Sequence, residues 1–97
     1  MNKIITMLEA DVAEKEWDIL QKAFRAIQEQ HFQSMPLQSF LVQLKERPTL
    51  WRIVTVWESM EALQKMRSSV ETPPGVVVFQ KAGAKPTLSI FEAMAEL

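Results

Sequence analysis

Two tryptophans bracket the most chemically loaded stretch of the chain, Trp51-Arg52-Ile53-Val54-Thr55-Val56-Trp57. An indole offers a flat aromatic wall and one N–H donor. A guanidinium holds an anionic oxygen, and a threonine hydroxyl both donates and accepts. Ser39 adds a second hydroxyl upstream and Met66 a polarizable thioether downstream, a side chain suited to irregular apolar cavities. Each of these residues also has a plainer use. Trp57 serves equally as a core anchor at a strand end, and Arg52 as half of an ion pair at a sheet edge or dimer rim. Ser39 and Thr55 can simply bond to each other or to backbone, and Met66 can be ordinary core packing.

Other chemistries lack their residues. The chain has no cysteine, hence no disulfide framework, thiolate metal site or cysteine nucleophile. One histidine, His31, and no spaced carboxylate cluster make neither a zinc or iron site nor a hard-ion cage. His31 is either a general base, if its helix end opens on a cavity, or a solvent-facing residue near a helix C-terminus. Two isolated glycines cannot form a phosphate loop, and neither a Ser–His–Asp set nor a nucleophile elbow is present. With 11 basic and 12 acidic residues interspersed, no field steers nucleic acid or an acidic membrane. The longest purely aliphatic or aromatic run is four residues, Val76 to Phe79, far short of the ~20 that span a bilayer. Glu9 and Asp11 interrupt the N-terminus too early for a secretory signal, which leads us to expect a cytoplasmic protein. Hydrophobic residues at 47% and charged residues at 24% are ordinary globular values, and 97 residues read as one domain, 1–97.

The elements that must position these residues follow from patterning. Residues 3–10, KIITMLEA, predict a first strand. Asp11-Val12-Ala13-Glu14 has capping-box spacing, with Asp11 expected to accept from the Glu14 amide. Trp17, Leu20, Phe24 and Ile27 then form one apolar stripe of a helix over about 13–32, which His31 continues. Pro36 opens a second strand, LQSFLVQLK, and residues 50–58 give the strongest strand signal, LWRIVTVWE. The five residues 45–49 suit a hairpin. With Leu44 opposite Leu50, the pairs Gln43–Trp51, Leu41–Ile53, Ser39–Thr55 and Leu37–Trp57 share one face. The other carries Phe40, Val42, Val54, Val56, Arg52 and Gln38. Both faces are mostly apolar, so both need cover: helices on one and, most economically, a second copy of the chain on the other. Parity alone leaves open which face meets the helices. Ser59 caps a second helix, MEALQKMRSS, whose buried edge is Leu63, Met66 and Val70. Thr72 to Gly75 is a loop. Residues 76–82 are ambiguous, strand by composition yet ending in Lys81-Ala82-Gly83 like a capped helix. Pro86 to Phe91 is the last strand. The order β-α-β-β-α-β is the α+β ferredoxin-like arrangement with an antiparallel sheet.

This pattern resembles the antibiotic biosynthesis monooxygenase family. The carrying residues are Gln38-Ser39-Phe40-Leu41-Val42 and the run from Trp51 to Ser59, then Glu61-Ala62-Leu63 at a helix start and Pro86 to Glu92 at the end. The sharpest stretch covers about residues 50–63. The resemblance implies a homodimer, a dimeric α/β barrel with two sheets packed face to face, and a ligand cavity between each subunit's own sheet and helices. Known members include oxygenases of quinols and anthrones that use no cofactor, haem-degrading oxygenases, and proteins without assigned activity. The haem-degrading branch requires an asparagine, a tryptophan and a histidine at positions that here hold Met7, Met66 and Val76, so haem chemistry is not expected. The polyketide enzymes draw on asparagine, tryptophan, tyrosine and arginine. This chain has no tyrosine and one asparagine, Asn2, leaving Trp51, Trp57, Arg52 and Arg67 of that set. The candidate pocket is therefore Trp57, Arg52, Thr55, Ser39, Trp51 and Met66, with no residue singled out as catalytic. The leading expectation is an oxidoreductase, a monooxygenase-like protein acting on an aromatic or quinol-type molecule with no cofactor and no metal. The alternative is a non-catalytic dimeric ligand-binding or structural module on the same fold, and an isomerase or decarboxylase is a third possibility.

Overall fold

The computed structural model describes residues 2–97. Its elements are β1 (Ile4–Asp11), α1 (Trp17–Ala26), β2 (Gln38–Gln43), β3 (Leu50–Trp57), α2 (Met60–Ser68), α3 (Pro74–Lys81) and β4 (Thr87–Glu92). Single 3-10 turns, Glu14–Glu16 and Ile27–Glu29, flank α1. The strands form one sheet in the order β2-β3-β1-β4, antiparallel throughout, which is the ferredoxin-like arrangement with one helix more than expected. The hairpin register is the one expected, Ser39 opposite Thr55 and Leu41 opposite Ile53.

The extra helix is α3. Its β-branched run suits a strand, but Pro73 and Pro74 supply a helical start and Gly83 a left-handed stop at φ 71°. The Gly83 and Ala84 amides donate to the carbonyls of Gln80 and Phe79, at 3.0 and 2.9 Å, closing a Schellman cap. Packing then favours the helix, which buries Val78 and Phe79 against α1 and the sheet. Gly75 sits where α3 touches the sheet most closely. A Cβ there would lie 2.6 Å from Leu8 Cδ1.

Two expectations about α1 are corrected. Asp11 caps no helix: it is still in β1, paired with Leu50, and its carboxylate is held across the sheet end. It accepts from Arg47 Nη2 at 2.7 and 2.8 Å and from Thr49 Oγ1 at 3.1 Å. The turn into α1 is fixed instead by Trp17 Nε1 donating to the Val12 carbonyl at 2.9 Å. The helix also stops early, tightening to a 3-10 turn at Ile27 and becoming extended at Gln30. A regular continuation would have turned His31 inward. Leaving the helix exposes His31 and lets a half-buried Phe32 pack there, a phenyl ring in place of an imidazole.

The helices cover the sheet face that bears Trp51, Ile53, Thr55 and Trp57, and their apolar stripes form two core clusters. One gathers Leu8, Val12, Leu20, Trp51, Ile53 and Phe79, with the Trp17 and Trp51 rings edge to face at 5.8 Å. The other gathers Ile4, Trp57, Leu63 and Met66. The α2 start is as expected, with Ser59 Oγ accepting from the Ala62 amide at 3.1 Å. The opposite sheet face is uncovered and largely apolar. Ile5, Met7, Val54 and Val56 lie half-buried along its centre, and Phe40, Val42 and Phe91 are 49, 41 and 50% exposed around them. Among the described residues, no helix is long and apolar enough to cross a membrane.

Candidate functional site

Between the two core clusters the helices stand off the sheet, leaving a cavity of about 320 Å³. That lies at the small end of the range for small-molecule sites. Its floor is the sheet, through Thr6, Leu8, Ile53, Thr55 and Trp57. Phe24 and Ile27 of α1, Leu63 and Met66 of α2, and the Pro73–Val76 turn into α3 form its walls, while Phe32 and Met35 to Leu37 come from the connection to β2.

The floor carries one polar rung. Ser39, Thr55 and Thr6 are in direct register across β2, β3 and β1, pointing into the same layer. Ser39 Oγ and Thr55 Oγ1 lie 2.9 Å apart and share one proton between them, so one of the two hydroxyl hydrogens is unused. Trp57 Nε1 donates to Thr6 Oγ1 at 3.3 Å, leaving the Thr6 hydroxyl hydrogen unused as well. The rung thus presents two hydroxyl donors in an otherwise apolar chamber. A flat hydrophobic ligand with an oxygen at one edge is the complement of that surface. Gln28 and Arg67 add polar groups from exposed positions, at the cavity's opening.

Of the six candidate pocket residues, the fold brings Trp57, Thr55, Ser39 and Met66 to this cavity. Arg52 and Trp51 are not in its lining. Arg52 is odd in register with Thr55, so alternation sends it to the uncovered face, where its Nε donates to Glu9 Oε1 at 2.5 Å. Trp51 shares the parity of Thr55 but lies two rungs further along β3, where Trp17 packs against its ring and closes the space. His31 lies outside the lining, and Met7 points to the uncovered face.

Sequence reasoning missed Thr6, Phe32 and the placement of Arg67. Thr6 had a signal: it is the one polar residue between Ile4 and Leu8 on the inward parity of β1. Arg67 had one too, four residues after Leu63 on the same helix. Phe32 had none, because its position depends on α1 ending early. No His, Cys, Asp or Glu lines the cavity, so the donor set there does not suit a metal, and no group of three such residues occurs among the described residues.

No family model and no curated protein matches the chain in sequence. Solved structures do match in fold. A Deinococcus radiodurans protein provisionally named an antibiotic biosynthesis monooxygenase aligns with a TM-score of 0.72 at 12% identity, over 97% of this chain and 95% of that one. SnoaB, a cofactor-independent oxygenase from Streptomyces nogalater, aligns with a TM-score of 0.67 at 13% identity, over 100% and 98% of the two chains. A conserved protein from Methanosarcina mazei aligns at 0.71 and 11%, over 94% and 92%. The chain therefore has the fold of the antibiotic biosynthesis monooxygenases along its whole length.

Proposed function

From that fold as premise, we propose that the protein is a cofactor-independent oxygenase of an electron-rich aromatic, quinol-type molecule, bound in the cavity between sheet and helices. The observation that carries this reading is the polar rung at Ser39, Thr55 and Thr6, set beside Trp57 in an apolar chamber. An electron-rich ring anion passes an electron to dioxygen directly, so the protein's tasks are to bind, orient and exclude water. In the anthrone case, dioxygen adds at the activated ring methylene and a carbon–oxygen bond forms. The resulting hydroperoxide loses water to leave a ketone. One oxygen atom goes to product and the other to water, with all four electrons supplied by the substrate. The rung hydroxyls hydrogen-bond the ring oxygen that carries the negative charge.

The working unit in this reading is a homodimer. The uncovered face bears Ile5, Met7, Val54, Val56, Phe40 and Phe91, an apolar expanse of the kind that marks an interface. A second copy of the same face is self-complementary, and the Arg52–Glu9 pair supplies both charges at its edge.

Oxygen uptake by the purified protein against hydroquinones, naphthols and anthrones tests the activity. The expected result is uptake above autoxidation that falls at least tenfold in Trp57→Ala. Binding without uptake across the panel overturns the oxygenase reading in favour of a ligand-binding module. That second reading is favoured by one observation, that no acid–base side chain lines the cavity. Light scattering at micromolar concentration tests the dimer, with twice 11.2 kDa expected and a stable monomer overturning it.

A further inference from the structure

Resting on that reading of the cavity, we infer that its substrate is an acid in its own right, an acidic polyphenol or enolised diketone ionised near neutral pH, with Arg67 as the residue that holds its charge. The inference starts from what the lining cannot do. It contains no Asp, Glu, His or Lys, the chain has no cysteine or tyrosine, and the one histidine lies elsewhere. The hydroxyls of Thr6, Ser39 and Thr55 donate or accept hydrogen bonds but do not take up a proton at neutral pH. No cavity side chain can therefore remove a proton from a bound phenol. Electron transfer to dioxygen nonetheless needs the ring anion, so a substrate that enters already ionised spares the site a base it does not have, and such a substrate is turned over in preference to a simple phenol.

An anion entering an apolar chamber has to be paired. Among the described residues, Arg67 is the only ionisable one in the lining. The other arginine and lysine ion pairs join Lys3 to Glu96, Arg47 to Asp11 and Arg52 to Glu9, and none involves Arg67 among the described residues. It stands in the last turn of α2, one residue after the buried Met66, exposed at the opening. Its guanidinium fork matches a pair of neighbouring oxygens such as a hydroxyquinone presents.

The test uses 2-hydroxy-1,4-naphthoquinone, ionised at pH 7, and its 2-methoxy ether, which cannot ionise. Each is titrated into the full chain by tryptophan fluorescence quenching. The hydroxyquinone is expected to bind roughly tenfold more tightly, in line with a hydrogen bond to a charged group. Its advantage should vanish in Arg67→Gln, persist in part in Arg67→Lys, and decline as pH falls below the ligand's own pKa. Equal affinity for the two probes in the unaltered protein would overturn the inference while leaving the cavity reading intact. So would an undiminished preference in Arg67→Gln with an unchanged melting temperature. Failure of both probes to bind would sink the cavity reading itself.

Discussion

Replacing Gly75 with alanine tests how tightly α3 is seated on the floor of the cavity. Two terms oppose each other. Alanine favours the helical backbone by at most about 1 kcal/mol over glycine. Its Cβ, however, would stand 2.6 Å from Leu8 Cδ1, inside any tolerated contact, while Ile53 Cδ1 at 3.6 Å is ordinary packing. Overpacking of this kind costs about 1–3 kcal/mol. Because the obstructing atom is the end of a side chain that can shift toward the cavity, the middle of that range applies rather than its top, about 2 kcal/mol, and the net loss is about 1 kcal/mol. For a chain of 97 residues that lowers the melting temperature by about 4–8 °C. Leu8 also lines the cavity, so its displaced methyl intrudes on the ligand and affinity for the naphthoquinone probe falls. Thermal and urea melts of Gly75→Ala, Leu8→Val and the double variant measure the coupling. A shortened residue 8 should relieve the contact, making the double variant more stable than the two single losses predict by at least about 0.5 kcal/mol. A Gly75→Ala protein that melts higher than the original, with additive behaviour at Leu8, would refute this account of the close approach.

Ser59→Ala removes the hydroxyl that caps α2, and a loss of about 1 kcal/mol is expected in a urea titration. Trp57→Phe deletes the donor to Thr6 and leaves a void beside Met66, for a loss of about 2 kcal/mol by the same measurement. Arg52→Gln should leave cavity affinity unchanged, since Arg52 is on the far face. With both partners of its ion pair 40% exposed, it should alter monomer stability by no more than about 0.5 kcal/mol. Val54→Asp puts a charge at the centre of the uncovered face, and light scattering should then give a monomer that still binds the probe.

The strands, the hairpin register and the capping of α2 were legible along the chain, because each rests on contacts between neighbours in the chain or across one short turn. Alternation also sorted the two faces of β2 and β3: Ser39, Thr55 and Trp57 on one, Arg52 on the other. It could not say which face the helices would cover, so residues of both faces, Arg52 among them, stood as pocket candidates. Tertiary structure decided that face. It decided, too, that residues 74–81 coil into a helix, since the gain from burying Val78 and Phe79 outweighs the β-propensity of the run. The early end of α1 has a similar cause, for only the assembled core distinguishes Phe32 from His31 as the residue to bury. The cavity itself is a property of the gap between two packed clusters. No pattern along the chain encodes its volume, although the hairpin register had already set Ser39 opposite Thr55 before the sheet brought Thr6 alongside them.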